Sequence, residues 1–188
     1  MRQLLADLFI TVDGWAAGER SPAFFGYSGP ELFGWIEEQL ATPHTMVMGA
    51  QTYRTLAGIV AFAGDADASG ARMTELPKLV FSSSLQPPLE WANSTVIAED
   101  AADAVPNLKR EDGDPLRVIG SVHLVRSLLR LGLVDRLRLM LFPQILGSTG
   151  RERIFDELPD LNLELLSTRV LDGRLVLLEY APQGPTQD

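Results

Sequence analysis

Three stretches of this chain place glycine or hydroxyl residues where an apolar run stops: Met48-Gly49-Ala50-Gln51-Thr52, Val80-Phe81-Ser82-Ser83-Ser84 and Val118-Ile119-Gly120-Ser121-Val122. The chemistry they suit is anion binding. Glycine lets a ligand approach the backbone, and free N–H groups at a helix start, backed by the helix dipole, favour a phosphate. Each stretch alone also fits an ordinary use, glycine for a tight turn and serine as a cap. None is a G-x-G-x-x-G fingerprint or a Walker loop. A fourth candidate is Thr11-Val12-Asp13-Gly14, where Asp13 serves equally well as a turn residue or as a substrate contact. The chain has no cysteine, which excludes disulfides, thiolate metal sites and thiol nucleophiles. His44 and His123 lie far apart without a carboxylate cluster, so no metal site is expected.

These junctions need parallel strands to bring them together, and the hydrophobic pattern supplies them. Residues 4–12 form an apolar run ending at Asp13-Gly14, a buried first strand. Residues 21–29 read as a loop, and Pro30 then opens a helix with Leu32, Phe33, Ile36 and Leu40 on one face until Pro43. Residues 45–48 predict a short strand, and Gly49 opens a second helix through about Leu56. Residues 58–77, rich in Ala, Gly and Asp, read as an irregular loop. Strands follow at 78–81, 95–98 and 116–119, with a helix over 100–110 that contains Pro106. Ser121 reads as the N-cap of a helix burying Val125, Leu128 and Leu129 and ending at Gly132. Residues 135–142 alternate as a strand, and Asp172-Gly173 joins two more in a hairpin. The pattern predicts a three-layer αβα fold, with a mixed, mostly parallel sheet and an antiparallel hairpin at the C-terminal edge.

The order and spacing of Met48-Gly49 with Thr52-Tyr53, of Lys78 to Ser83, and of Val118-Ile119-Gly120 resemble the dihydrofolate reductase superfamily. Leu128 to Leu137, then Pro143, Leu146-Gly147 and Ile154-Phe155, resemble one branch of it more closely, as does Thr11-Val12-Asp13-Gly14. That branch is the C-terminal reductase domain of the bifunctional riboflavin-biosynthesis deaminase–reductase and its stand-alone relatives. The resemblance implies a cofactor, NADPH with NADH not excluded. It would lay Gly49 and Thr52 against the cofactor phosphates and Ser82 and Ser83 on the adenosine side. Gly120, Ser121 and Val122 would cover the pyrophosphate and the nicotinamide ribose. Gly14 and Asp13 would sit where nicotinamide and substrate meet, with Asp13 a catalytic candidate and Thr11 and Asp13 polar contacts to the substrate. The implied reaction reduces the ribosyl group of 5-amino-6-(5-phosphoribosylamino)uracil. Trp15, Phe24, Phe25, Tyr27 and Trp35 are candidate pocket walls.

This chain departs from the family at Ser121, where a second glycine is usual, and at Ala50, where dihydrofolate reductases carry a basic residue. Glu31 is the one near match to the acid of dihydrofolate reductases, so a pteridine reductase with Glu31 catalytic is an alternative; at a helix start a glutamate also serves the dipole. A nucleotide-binding protein without turnover is a third reading. The deaminase half's zinc element needs H-x-E and P-C-x-x-C, which the sequence lacks.

The formal net charge of −9 argues against nucleic acid or an anionic membrane as partner. No apolar run approaches the length of a membrane span and no signal peptide is evident, so a cytoplasmic protein is expected. The 188 residues are expected to form one domain, with 181–188 a flexible tail. A small heterocyclic or ribosylamino substrate and a homodimer complete what the resemblance implies.

Overall fold

The amino-terminal apolar run becomes the centre of a sheet. In a computed structural model, which describes residues 1–64 and 67–183, β1 (Leu4–Thr11) buries Leu4, Ala6, Leu8 and Ile10 on one face. Its other face carries Asp7 and Phe9. A parallel strand covered on both sides has this character. The elements that follow are β2 (Trp15–Gly18), α1 (Pro30–Ala41), β3 (Thr45–Gly49), α2 (Ala50–Ala63) and α3 (Ala68–Glu75). Next come β4 (Lys78–Phe81), β5 (Ser94–Ile97), α4 (Ala101–Arg110), β6 (Leu116–Ile119) and α5 (Val122–Arg130). The chain continues through β7 (Arg136–Phe142), β8 (Gly150–Arg153), β9 (Leu163–Leu171) and β10 (Leu175–Pro182).

The main sheet runs in the order β5-β4-β3-β6-β1-β7-β10-β9. Its strands from β5 to β7 are parallel, and β10 and β9 add the antiparallel edge. The helices α4 and α5 cover one face, where Val105, Val125, Leu128 and Leu129 pack on Leu4, Ala6, Val47 and Val118. On the other face α1, α2 and α3 bury Leu32, Trp35, Leu40 and Tyr53. This is the three-layer α/β arrangement that the periodicity predicts. Burial of each such leucine contributes about 1.5–3 kcal/mol.

Several local expectations are corrected. Residues 58–77 are mostly helical: α2 continues to Ala63, and α3 begins after Asp67, whose carboxylate accepts from Ser69 N–H at 3.1 Å. Alanine is the strongest helix former and outweighs Gly58 in α2 and Gly70 in α3. Buried Lys78 then closes α3, its Nζ donating to the carbonyls of Met73, Thr74 and Leu76. After Asp13, β2 pairs with β8 in a separate ribbon. Of the expected tail over 181–188, Ala181 and Pro182 instead pair with Glu164 and Leu163 in the sheet, and 184–188 lie outside the described residues. In the hairpin, Asp172, Gly173 and Arg174 lie between the paired residues Leu171 and Leu175.

Candidate functional site

Because β4, β3, β6 and β1 are adjacent and parallel, their carboxyl ends open on one edge of the sheet. Phe81 lies beside Gly49, Val47 beside Val118, and Asp7 beside Ile119. The residues following β4, β3 and β6, Ser82-Ser83, Ala50 to Thr52 and Gly120 to Val122, therefore form a row, while β1 runs on from Asp7 to Thr11 before the Val12 to Gly14 turn. Ligands of open α/β sheets bind in such a position.

At the middle of the row Gly49, Thr52, Gly120 and Ser121 meet. The Ser121 hydroxyl donates to Thr52 Oγ1 at 2.7 Å and accepts from Gly49 N–H at 2.9 Å. Thr52 Oγ1 also accepts from Ser121 N–H at 3.1 Å. Ser121 is therefore not the side-chain cap of α5; its hydroxyl crosses to β3 and α2 instead. Gly120 and Ser121 both have positive φ, 62° and 47°, a left-handed pair that explains why glycine suits both places. A Cβ on Gly120 would come within 3.3 Å of Thr52 Cγ2. The amino ends of α2, with 14 residues, and α5, with nine, converge here. Glycine-lined backbone at two helix starts fits the phosphates of a dinucleotide. Val122 turns its side chain into the core, so only its backbone N–H could serve a ligand.

The flanking residues are tied to their own loops. Ser82 Oγ accepts from the N–H groups of Ser84 and Leu85 at 3.1 and 3.0 Å, while Ser83 is exposed. On the other flank Thr11, fully buried, donates to Asp13 at 2.7 Å and accepts from Trp15 N–H at 3.1 Å. The Asp13 carboxylate also accepts from the N–H groups of Leu146 and Gly147 at 3.1 and 2.8 Å. Partial desolvation pushes its pKa up, but the Thr11 hydroxyl and the Gly147 and Leu146 amides outweigh that and hold it at about 2. Asp13 is thus an ionised staple between two loops, unsuited to giving a proton at neutral pH. Gly14, at φ 82°, hydrogen-bonds back to Thr11 and accepts from Ile154 N–H.

Among the described residues no hydrogen bond brings Glu31 to this row. Its carboxylate accepts from Asp172 N–H, and Asp172 in turn accepts from the N–H groups of Glu31 and Leu32 at 3.0 Å. The pair joins the start of α1 to the β9–β10 hairpin.

A cavity of about 260 Å³ opens beside the Asp13 turn, lined by Phe9, Ala16, Ala17, Ser21, Phe24 and Phe25 among others. Phe24 and Phe25 both have φ 52°, a strained conformation for aromatic residues. Of the five aromatic residues named as candidate walls, these two line the cavity. Trp35 is core, Trp15 lies under the Arg153 guanidinium, and Tyr27 donates to Pro143 O. Phe9 escapes a sequence reading because an aromatic residue inside a buried strand looks like core. Among the described residues no cluster of His, Cys, Asp or Glu suits a metal ion, and no helix is long and apolar enough to cross a membrane.

A family model described as the RibD C-terminal domain matches residues 2–177. An uncharacterized protein of Bacillus subtilis, YyaP, is 25% identical, covering 97% of this chain and 96% of its own length. A crystal structure of a putative riboflavin biosynthesis protein from Shewanella sp. PV-4 aligns at a TM-score of 0.70 and 19% identity, over 96% of this chain and 99% of that one. The Thermotoga maritima diaminohydroxyphosphoribosylaminopyrimidine deaminase/5-amino-6-(5-phosphoribosylamino)uracil reductase aligns at 0.63 and 17% identity, over 97% of this chain and 57% of that one. Enterococcus faecalis dihydrofolate reductase, complexed with NADP(H), aligns at 0.60 and 14% identity, with 96% of each chain covered. These likenesses establish the dihydrofolate-reductase-like fold.

Proposed function

Because the chain belongs to the RibD C-terminal domain family, we propose that it is an NADPH-dependent reductase acting on 5-amino-6-(5-phosphoribosylamino)uracil or a close ribosylamino relative. The observation that carries this reading is the cluster of Gly49, Thr52, Gly120 and Ser121 at two helix starts on the carboxyl edge of the sheet. The cofactor supplies the hydride; the chain holds it and the substrate. Gly49, Thr52, Gly120, Ser121 and the Val122 N–H hold the phosphates, with Ser82 and Ser83 toward the adenosine. Thr11, Asp13 and Gly14 fix the turn between that cradle and the 260 Å³ cavity, where the substrate sits against Phe9, Phe24 and Phe25. Asp13 acts as a positioning residue that ties this turn to Leu146 and Gly147. Glu31, held by the hairpin, is left out of the chemistry, and that weighs against a dihydrofolate-type reductase.

The protein works in the cytoplasm as a homodimer, in which the exposed edge strand β9 pairs with its copy. The strand is nine residues long and leaves all but Leu171 exposed, including Leu163, Leu165, Leu166 and Val170. Such an edge invites a partner strand.

The test is turnover. Purified protein with NADPH and the phosphoribosylaminouracil should consume reduced nicotinamide, and dihydrofolate should not replace that substrate. Cofactor binding without turnover on either substrate would leave a nucleotide-binding protein on the same fold.

A further inference from the structure

The walls of the 260 Å³ cavity beside the Asp13 turn limit which part of a substrate it can read. Three phenylalanines, three alanines, Pro22 and Ser21 line it, and none of them carries a charge. Ser21 is the one polar side chain among them. Its N–H turns back to Gly18 O at 3.4 Å, while its hydroxyl makes no hydrogen bond among the described residues. An unfavourable backbone builds this wall. Phe24 and Phe25 follow one another at φ 52°, ψ 30° and φ 52°, ψ 27°, and strain of this kind clusters at ligand sites. The turn sends Phe25 into the core against Phe142, with 5.2 Å between ring centres, and keeps Phe24 half-buried at the cavity. Phe9 meets the Phe24 ring at 50° and Phe33 meets it nearly edge-on at 82°. Among the described residues, then, no aromatic ring lies parallel to Phe24.

A phosphate does not suit these walls. Taking its charge out of water without a paired cation is strongly unfavourable. The cations on the adjoining segments are engaged or solvated: Arg151 pairs with Glu19, Arg153 lies over Trp15, and Arg20, next to Ser21, is exposed. A phosphate at the cavity mouth would meet Arg20 in water, where an ion pair changes affinity by no more than about fivefold. The ionised Asp13 adds a like charge at the neighbouring turn. Size points the same way. Pockets that enclose a drug-sized ligand have ~300–1,000 Å³, so part of a phosphoribosylated pyrimidine has to stay outside this one.

We propose, building on the reductase reading of this site, that the cavity recognises an uncharged planar ring, stacked on Phe24 and hydrogen-bonded by the Ser21 hydroxyl, and leaves the phosphate of its substrate unread in solvent. The substrate class is then the ribosylamino-pyrimidine itself, phosphorylated or not. Phe24 supplies a face that prefers an offset flat ring, and Ser21 supplies one donor or acceptor that fixes its orientation.

The test compares 5-amino-6-(5-phosphoribosylamino)uracil with its dephosphorylated counterpart as substrates of the unaltered protein with NADPH. The phosphorylated compound should be favoured in kcat/KM by less than about tenfold, or not at all. A larger phosphate preference overturns the proposal and leaves the reductase reading in place. If neither compound is reduced, the reductase reading falls, and calorimetric titration of both still decides the proposal. Affinities that favour the phosphate by less than about tenfold sustain it, whereas a larger preference, or no binding of either compound, overturns it. Arg20→Gln should change the ratio between the two compounds by less than about fivefold, and a larger loss confined to the phosphorylated one also overturns the proposal. Ser21→Ala, and Phe24→Leu, which keeps an apolar wall but removes the ring, should each raise KM for both compounds alike, by about three- to tenfold. Unchanged KM in both folded variants overturns it as well, and the comparison on the unaltered protein holds whether or not the variants fold.

Discussion

Ser121 changes what its junction offers a ligand. Its hydroxyl occupies the Gly49 N–H and Thr52 Oγ1, which an incoming phosphate would otherwise meet. Ser121→Gly should therefore tighten NADPH binding by about five- to tenfold, the value of roughly one net hydrogen bond, read by fluorescence titration. Thr52→Val strands the Ser121 N–H and should cost about 1–2 kcal/mol of stability in denaturant melts. Asp13 gives a pH prediction. Its folded pKa of about 2 lies below the ordinary 3.8, so the stability it contributes is complete above that ordinary value. It is lost as pH falls toward 2, and Asp13→Asn should flatten the acid limb of the Tm–pH profile in that window. The residue types at these junctions were legible from sequence, because strand ends, glycines and hydroxyls announce themselves locally. The crossing of Ser121 to Gly49 was not, since it depends on β3 and β6 being neighbours although 72 residues separate the two partners.

At the scale of elements, the hairpin turn serves as the N-cap of α1. Gly29 at that helix start offers no side chain, and Asp172 takes the N–H groups of Glu31 and Leu32 from 140 residues away. Asp172→Ala strands both and forces alanine into φ 52°, so it should cost about 1–2 kcal/mol and lower Tm by roughly 2–8 °C. An unchanged Tm would show that solvent replaces the cap. A sequence reading assigns Glu31 from its own neighbourhood and has no view of Asp172. The misreading of residues 58–77 has a different cause. Gly and Asp suggested a loop, yet alanine-rich turns on either side of Asp67 carry enough helix propensity to form once Leu76 and Tyr53 give them a core to pack on.

For the whole molecule, the parallel core was legible because short apolar runs alternate with amphipathic helices, and that pattern has few three-layer solutions. The exposed leucines of β9 were not distinguishable from core leucines in the sequence. They predict a concentration-dependent dimer in sedimentation, and Leu165→Glu should shift it to monomer with secondary structure kept. The central claim concerns the row of strand ends, and calorimetric titration of NADPH into the unaltered protein and Gly120→Val tests it most directly. The account predicts saturable binding to the first and loss of at least tenfold in affinity in the second, whose side chain would enter the crevice against Thr52. No binding to the unaltered protein, or equal binding to a folded Gly120→Val, would contradict it.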